Sequence, residues 1–224
     1  MKLDVEYDTY PWGPWCIESK ISQEFIDILL EKGNEAKAQN NDHRKSLAGQ
    51  IENEYYYKDY MEWFCPLLDP YIAAYVSGAL EQRTVMFEAP IKGFTMLGLW
   101  INYQRAREYN PPHAHGGDLS FVIYLQVPDE IKEENIKERY VHNNPGPGMI
   151  QFLLGPSMPL SVQSVGFMPK VGGIVIFPAW LPHYVNDFKS DVERISVSGN
   201  LNFMYHDLPP INVETGRPEL GLDD

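Results

Sequence analysis

Two histidines one residue apart stand out in the stretch NPPHAHGGDLSFVIYLQVP, which spans residues 110–128. Alternate side chains of an extended segment point to the same side, so His113 and His115 can aim two imidazoles at one point. The preceding prolines favour an extended backbone, and Gly116 and Gly117 allow a sharp turn into the strand that follows. Such a pair fits two ligands of one metal ion, and it equally fits two histidines exposed on a polar loop.

A third histidine, His183, comes much later in the chain and follows another strand-like run. The apolar run Gly173–Phe177 precedes it, and Pro178 and Pro182 restrict the backbone on either side of the turn. In a jelly roll, three imidazoles from two neighbouring strand ends would form a facial metal site with open positions. An open site of this kind suits iron(II) and dioxygen chemistry better than a closed structural zinc site.

An arginine follows shortly after the third histidine, within the run RISVSGN. Strand alternation points Arg194 and Ser196 to one face and Ile195 and Val197 to the other. An inward guanidinium needs a partner, because an unpaired buried charge is very costly. A carboxylate ligand fits the planar guanidinium, with the Ser196 hydroxyl as a second donor. An internal salt bridge with one of the acidic residues of the chain is the alternative.

Short β-rich runs predict the elements that position these residues. After Ala89–Pro90 they are separated by Gly, Pro and Asn, which is typical of an antiparallel sandwich or barrel of jelly-roll type. The runs are GFTMLGLWINYQ, DLSFVIYLQV, MIQFLLG, LSVQSVGF, GGIVIFPAW and RISVSGNLNF. Between two of them, PDEIKEENIKERYVHNNPGPG predicts a solvated helix and a loop with His142 exposed. A plain surface excursion is the expected form, and the polarity and glycines of the segment also allow a lid.

The N-terminal part has helical periodicity instead. SQEFIDILLEKGNEA predicts a helix with Ser22 as N-cap, and the following segment predicts two or three more helices broken at Pro66 and Pro70. The expected fold class is therefore α+β. We expect one domain over residues 1–224, with a helical part over about 1–90, a jelly-roll core over about 91–205 and an irregular C-terminal tail.

Composition limits the classes of function. The formal net charge of −13 argues against binding to a nucleic-acid backbone, which needs concentrated Lys and Arg. Cys16 and Cys65 lack metal-binding spacing and fit two reduced thiols. No apolar run approaches membrane-spanning length, and the first residues are too acidic for a signal peptide. We therefore expect a cytoplasmic protein that binds neither nucleic acid nor membrane.

These motifs together resemble the 2-oxoglutarate- and iron(II)-dependent oxygenases, and most closely a group of uncharacterised bacterial and marine-phage members. The resemblance covers about residues 95–202. The motifs are W-x-N, H-x-H, a strand ending in Y-L-x-x-P, F-P-x-W-x-x-H and R-x-S-x-S. They fall here on Trp100 and Asn102, His113 and His115, Tyr124, Leu125 and Pro128, Phe177, Pro178, Trp180 and His183, and Arg194, Ser196 and Ser198.

The resemblance implies a double-stranded β-helix whose N-terminal helices buttress one sheet. It implies an Fe(II) ion held by the histidines, with 2-oxoglutarate as cosubstrate, and hydroxylation of a small molecule or peptide with release of succinate. It also implies that Arg194 and Ser196 bind the distal carboxylate of 2-oxoglutarate. Tyr103, Asn102 and Tyr124 are further cosubstrate-binding candidates, although alternation allows only one of Asn102 and Tyr103 to face inward.

The chain departs from the superfamily pattern at one ligand, because the usual motif is H-x-D and the acid position here is His115. Either His115 replaces the carboxylate, giving a site of His113, His115 and His183, or Asp118 reaches the metal across the Gly116–Gly117 step. Two other classes of function remain open. GGIVIFPAWLPH resembles the second cupin motif, although a cupin needs a Glu where this chain has Leu119 and Ser120. A non-catalytic β-sandwich binding protein is the other alternative.

Overall fold

The structure, a computed structural model, describes residues 13–81, 91–139, 146–156 and 162–205. The expected tail after residue 205 and the loop position His142 lie outside these described residues. No helix in the described ranges combines the length and the apolar character needed to cross a bilayer.

Within the described residues, ten strands form two antiparallel sheets in a jelly roll, which confirms the expected α+β fold class. The large sheet has the order β1 (Ile17–Lys20), β8 (Gly173–Pro178), β5 (Leu119–Gln126), β10 (Arg194–Tyr205), β3 (Ile91–Gln104) and β2 (Glu54–Tyr56). The small sheet has the order β4 (Asn110–His113), β9 (His183–Val185), β6 (Ile150–Leu153) and β7 (Ser164–Phe167).

The two faces of the large sheet have different partners. On β10, the residues Ile195, Val197 and Leu201 belong to an apolar core shared with the N-terminal helices. The alternate residues Arg194, Ser196, Ser198 and Asn200 line a cavity between the sheets. Since both faces of the central strands are covered, β8 is buried along its whole length and β5 at every position but its last.

Two long helices cover the outer face of the large sheet. Helix α1 (Gln23–Ala38) begins after Ser22, whose Oγ accepts a hydrogen bond from Phe25 N at 3.2 Å, so the predicted N-cap is confirmed. After a 3₁₀ turn (Arg44–Ser46) and the short helix α2 (Tyr60–Trp63), α3 spans Cys65–Glu81. Phe64 stacks on Phe121 of β5 with 5.7 Å between the ring centroids, which fixes the helical layer on the sheet.

The helical prediction for the N-terminal part is wrong at two places. Residues 17–20 and 54–56 are strands β1 and β2, which extend the two ends of the large sheet. Pro66 and Pro70 do not break the chain into separate helices, because both lie inside α3. Pro66 occupies the first turn, where a backbone N–H has no intrahelical partner.

The predicted helix in the insertion is present as α4 (Asp129–Arg139). It is not wholly solvated, because Ile131 is fully buried and Asn135 is 1% exposed. The Glu134 carboxylate accepts hydrogen bonds from Lys189 N and Ser190 N. These hydrogen bonds hold α4 against the loop that leads into β10, whose first residue is Arg194.

Candidate metal centre and the adjoining cavity

Three histidines converge at one end of the cavity between the sheets. The possible ligand atoms of His113, His115 and His183 all lie within 4.8 Å of one another. The ring centroids are 4.4 Å apart for His113 and His183, 4.8 Å for His113 and His115, and 5.1 Å for His115 and His183. His113 and His183 are direct cross-strand partners of β4 and β9, so sheet pairing brings them together.

Backbone carbonyl groups orient two of the three rings. His113 Nδ1 lies 2.7 Å from Pro111 O, and His183 Nδ1 lies 2.9 Å from Leu181 O. A proton on each Nδ1 would be donated to these carbonyl groups, which leaves each Nε2 with a lone pair for a metal ion.

The electrostatics of the cluster keep its buried rings neutral. Burial, assisted by the charge that His113 can carry, lowers the pKa of His115 to about 4. Burial lowers the pKa of His183 to about 3, although its bond to Leu181 opposes the shift. Both imidazoles are therefore unprotonated near neutral pH, as metal ligands must be.

The turn after His115 fixes where Asp118 points. His115 N donates to Ala179 O at 2.9 Å, and Gly117 has a φ of +103°. A Cβ at Gly117 would lie 2.8 Å from Leu201 O, so the close passage of this turn along β10 requires glycine. Asp118 Oδ2 accepts a hydrogen bond from Phe203 N at 2.7 Å, and Asp118 is not part of the histidine cluster.

Arg194 is buried in the same cavity without an acidic partner. Its exposed fraction is 2%, its Nη1 donates to Gly148 O at 2.6 Å, and its Nε has no partner among the described residues. In the described ranges no carboxylate forms an ion pair with it. Burial lowers the pKa of Arg194, while the Tyr124 ring lies 5.6 Å from its guanidinium carbon. The internal salt bridge considered from the sequence is therefore absent from the described part of the chain.

The other cosubstrate candidates divide between the two faces of the large sheet. Asn102, Ser196 and Tyr124 are cross-strand neighbours on β3, β10 and β5, and all three line the cavity. The structure does not bring Tyr103 there. Its hydroxyl lies 3.5 Å from Asn34 Oδ1 and Lys37 Nζ lies 4.1 Å from its ring centroid, on the helical side of the sheet. Tyr103 is therefore no longer a candidate for cosubstrate binding. Neighbouring residues of a strand face opposite sides, and here Asn102 faces the cavity.

Several cavity residues were not predicted from the sequence. Asn200 continues the alternate series of Arg194, Ser196 and Ser198, and it accepts a hydrogen bond from Ser120 Oγ at 2.7 Å. The i+2 spacing on β10 could have identified Asn200. Asn110 lies in the irregular pairing of β4 with β9, and no local pattern marks it. The empty space in the cavity and at its mouth, open solvent included, is about 510 Å³.

Comparisons with known proteins agree with this fold. The family described as "Putative 2OG-Fe(II) oxygenase" matches residues 98–200. No curated protein sequence matches the chain. A prolyl-4-hydroxylase from Pseudomonas putida is similar in structure, with a TM-score of 0.53 and 12% identity over 86% of this chain and 94% of that chain.

Two further solved structures share the fold. A 2OG-Fe(II) oxygenase family oxidoreductase from Burkholderia pseudomallei has a TM-score of 0.50 and 12% identity over 84% of each chain. A prolyl hydroxylase from Trichoplax adhaerens, in complex with a hypoxia inducible factor peptide fragment, has a TM-score of 0.50 and 11% identity over 85% of this chain and 84% of that chain. The family match runs from β3 to β10 and includes every residue of the histidine cluster, so this part of the chain is similar to the 2-oxoglutarate- and iron(II)-dependent oxygenases.

Proposed function

We propose that this chain is a hydroxylating dioxygenase whose iron(II) is bound by His113, His115 and His183 and whose 2-oxoglutarate is anchored by Arg194. One observation carries the proposal. A cluster of three imidazoles and a buried guanidinium without a described carboxylate partner line the same cavity. The imidazoles can hold a metal ion, and the guanidinium needs an anionic partner. 2-Oxoglutarate carries both a metal-chelating group and a distant carboxylate in one molecule.

The donor set fits iron(II) in the form of a three-histidine site. Neutral imidazole is a suitable ligand for iron, and a facial set of three leaves positions open for other ligands. Asp118 is a poor candidate for the third ligand, because its carboxylate already accepts a hydrogen bond from Phe203 N. His115 therefore takes the place of the usual acid in this proposal.

Residues of the large sheet would hold the far end of the cosubstrate. Arg194 would donate to the distal carboxylate, and Ser196, Tyr124 and Asn102 could add hydrogen bonds from the neighbouring layer of the sheet. The buried position of Arg194 strengthens this interaction, because water does not screen it there. The contact with Gly148 O holds the guanidinium in place before the ligand arrives.

Iron(II) and 2-oxoglutarate, when bound, supply the oxidising chemistry, in which dioxygen is consumed, 2-oxoglutarate is converted to succinate and carbon dioxide, and a C–H bond of the substrate is hydroxylated. The protein orients the reactants and excludes water. Apolar residues such as Val122, Ile150 and Phe177 form part of the cavity wall beside the histidines and serve that exclusion.

The substrate in this proposal is a small molecule or a peptide. The Trichoplax adhaerens relative in complex with a peptide fragment supports the peptide class, and its identity to this chain is 11%. Two free cysteines, Cys16 and Cys65, support a cytoplasmic location for the reaction.

Anaerobic titration with iron(II), with and without 2-oxoglutarate, tests the proposal. We expect a weak metal-to-ligand charge-transfer band in the green when both are present. Absence of the band in the wild-type protein would argue against the oxygenase function. A cupin-type protein would bind the metal and ignore the 2-oxo acid, and a non-catalytic sandwich would bind neither.

The variant Arg194→Ala tests the anchor. We expect its affinity for 2-oxoglutarate to fall at least about thirtyfold, because a charge-assisted contact in a buried site is lost, while iron binding remains. Arg105→Ala is the matched control, since that arginine does not line the cavity, is largely exposed and pairs with Glu193 at 3.5 Å. If the charge-transfer band survives Arg194→Ala unchanged, the assignment of Arg194 is wrong.

A further inference from the structure

A buried carboxyl group adjoins the cavity and has no role in the chemistry described above. Glu54 lies on β2, the strand at one end of the large sheet, and only 1% of its surface is exposed. In the described ranges it forms no ion pair, and its Oε2 has no hydrogen-bond partner. Arg44, the cation whose charge acts on Glu54, forms a bidentate pair with Asp42.

The cross-strand partner of Glu54 is Asn102, one of the residues that line the cavity. Directly paired residues of neighbouring strands point to the same face, with their Cβ atoms about 5 Å apart. Asn102 Oδ1 is also buried without a partner among the described residues. Two acceptor oxygens cannot bond to each other, whereas one proton on Glu54 would let it donate to Asn102 Oδ1 and satisfy both atoms.

The charges around Glu54 favour that proton. Burial raises the pKa of Glu54 to about 7, and Glu108 adds to the shift. Asp42 acts in the same direction, and Arg44 opposes it. The remaining titratable neighbour, His43, bonds to Glu54 through its backbone N–H, and its own pKa is lowered by burial. Arg44 offsets a negative charge on Glu54 only in part, because its guanidinium is already paired with Asp42.

The protonation state of Glu54 would determine whether the nitrogen or the oxygen of the Asn102 amide faces the cavity. When Glu54 donates to Oδ1, the amide nitrogen points toward Ser198 Oγ, 3.5 Å away, and its N–H groups face the cavity. When Glu54 is ionised it can only accept, so the amide would turn to donate to it and would present Oδ1 to the cavity. An oxygen in that position repels a carboxylate, and an N–H group attracts it.

We propose that Glu54, in its protonated form, is a positioning residue that holds the Asn102 amide with its N–H groups toward the bound 2-oxo acid. This inference rests on the proposed function, since it assigns Asn102 to the cosubstrate pocket. It makes the affinity for the cosubstrate depend on the proton of the Glu54 carboxyl group, which contacts neither the metal nor the cosubstrate in this proposal.

The test is the dissociation constant of 2-oxoglutarate as a function of pH, measured anaerobically on the iron(II)-loaded protein by the charge-transfer band. In the wild-type protein we expect binding to weaken by about tenfold as the pH rises through the pKa of Glu54, the equivalent of one hydrogen bond. Glu54→Gln cannot ionise and keeps an N–H donor, so it should bind as tightly at high pH as the wild type does at low pH. Glu52→Gln is the matched control. Glu52 is an exposed neighbour of Glu54, so this variant should keep the pH profile of the wild type.

A second variant separates positioning from packing. Glu108→Gln removes the charge that raises the pKa of Glu54, so the fall in affinity should begin at a lower pH. A residue that only filled space would not respond in this way. Identical pH profiles for wild type and Glu54→Gln, or weak binding by Glu54→Gln at every pH, would overturn the inference while leaving the proposed function intact. Absence of binding in the wild type at every pH would overturn the proposed function itself.

Discussion

His115 occupies the position at which the superfamily pattern has an acid. Three neutral imidazoles leave the full charge of a bound divalent ion uncompensated by the protein, so anionic ligands of that ion gain importance. Asp118, the nearest acid along the chain, is committed elsewhere, because it caps Phe203 N and receives a backbone bond from Ala179. In the proposed site, His115 would bind the metal ion, whereas Asp118 would stabilise the turn through its hydrogen bond to Phe203 N.

Substitution of each residue separates the two roles. We expect His115→Ala to weaken binding of iron(II) or cobalt(II) by at least about a hundredfold, more than the typical loss of an outer-shell partner. Asp118→Asn should leave metal affinity unchanged and lower the free energy of unfolding by about 1 kcal/mol, because a charge-assisted hydrogen bond becomes a neutral one. Metal titration and chemical denaturation measure the two effects, and loss of metal binding in Asp118→Asn alone would reverse the assignment.

The sequence identifies the residues of the site better than it orients them. His113, His115, His183 and Arg194 could be predicted because each lies in a short motif with fixed spacing. Asn102 and Tyr103 are adjacent, and only the phase of strand β3 decides which of them faces the cavity. That phase depends on pairing with β10 and β2, which are distant in sequence.

At the scale of elements, the strongly apolar strands could be predicted and the short end strands could not. Strands β5 and β8 could be predicted because both of their faces are buried, so their sequences are nearly continuous apolar runs. Strand β2 has three residues within a stretch of helical composition, and it exists because Tyr55 and its neighbours pair with β3. This pairing is non-local, so no window of local sequence contains it.

Strand β2 also makes a measurable contribution to the pH dependence of stability. The pKa of Glu54 is about 7 in the folded protein against 4.5 for the ordinary group, so the folded state holds a proton that the unfolded state releases. Its contribution is complete below pH 4.5 and is lost as the pH rises through 7, by about 3 kcal/mol at most. His115 and His183 act in the opposite direction, because their lowered pKa values make stability rise with pH up to about 6.5.

The difference between wild type and Glu54→Gln isolates the glutamate. In the metal-free protein, we expect the free energy of unfolding of the wild type to fall relative to that of the variant as the pH rises from about 4.5 to 7. Chemical denaturation at a series of pH values gives this difference. A constant difference across the range would mean that the carboxyl group titrates normally in the folded state.

At the scale of the whole molecule, the two ends of the proposed ligand set belong to different sheets. His113 and His183 lie on the small sheet, whereas Arg194, Ser196, Tyr124 and Asn102 lie on the large sheet. A cosubstrate that chelates the metal and reaches Arg194 would therefore span the space between the sheets. Binding of metal and of 2-oxoglutarate should be thermodynamically coupled for this reason.

Thermal unfolding measures that coupling. With each ligand at about a hundred times its dissociation constant, metal and 2-oxoglutarate together should raise the Tm by roughly 10–20 °C. We expect 2-oxoglutarate alone to have little effect, because without metal it keeps only its contacts to the large sheet. His183→Ala should remove the joint shift, and a joint shift equal to the sum of the two separate shifts would contradict the coupling.

The pairing of His113 with His183 has a consequence for the unfolded chain. These residues are about seventy positions apart, and an ion that held both would close the intervening segment, which contains β5 to β8, into a ring. A closed ring has fewer conformations than an open chain, so an ion that stayed bound to both histidines during unfolding would act as a removable cross-link. Its release would then become a step in unfolding, and chelators would accelerate that process.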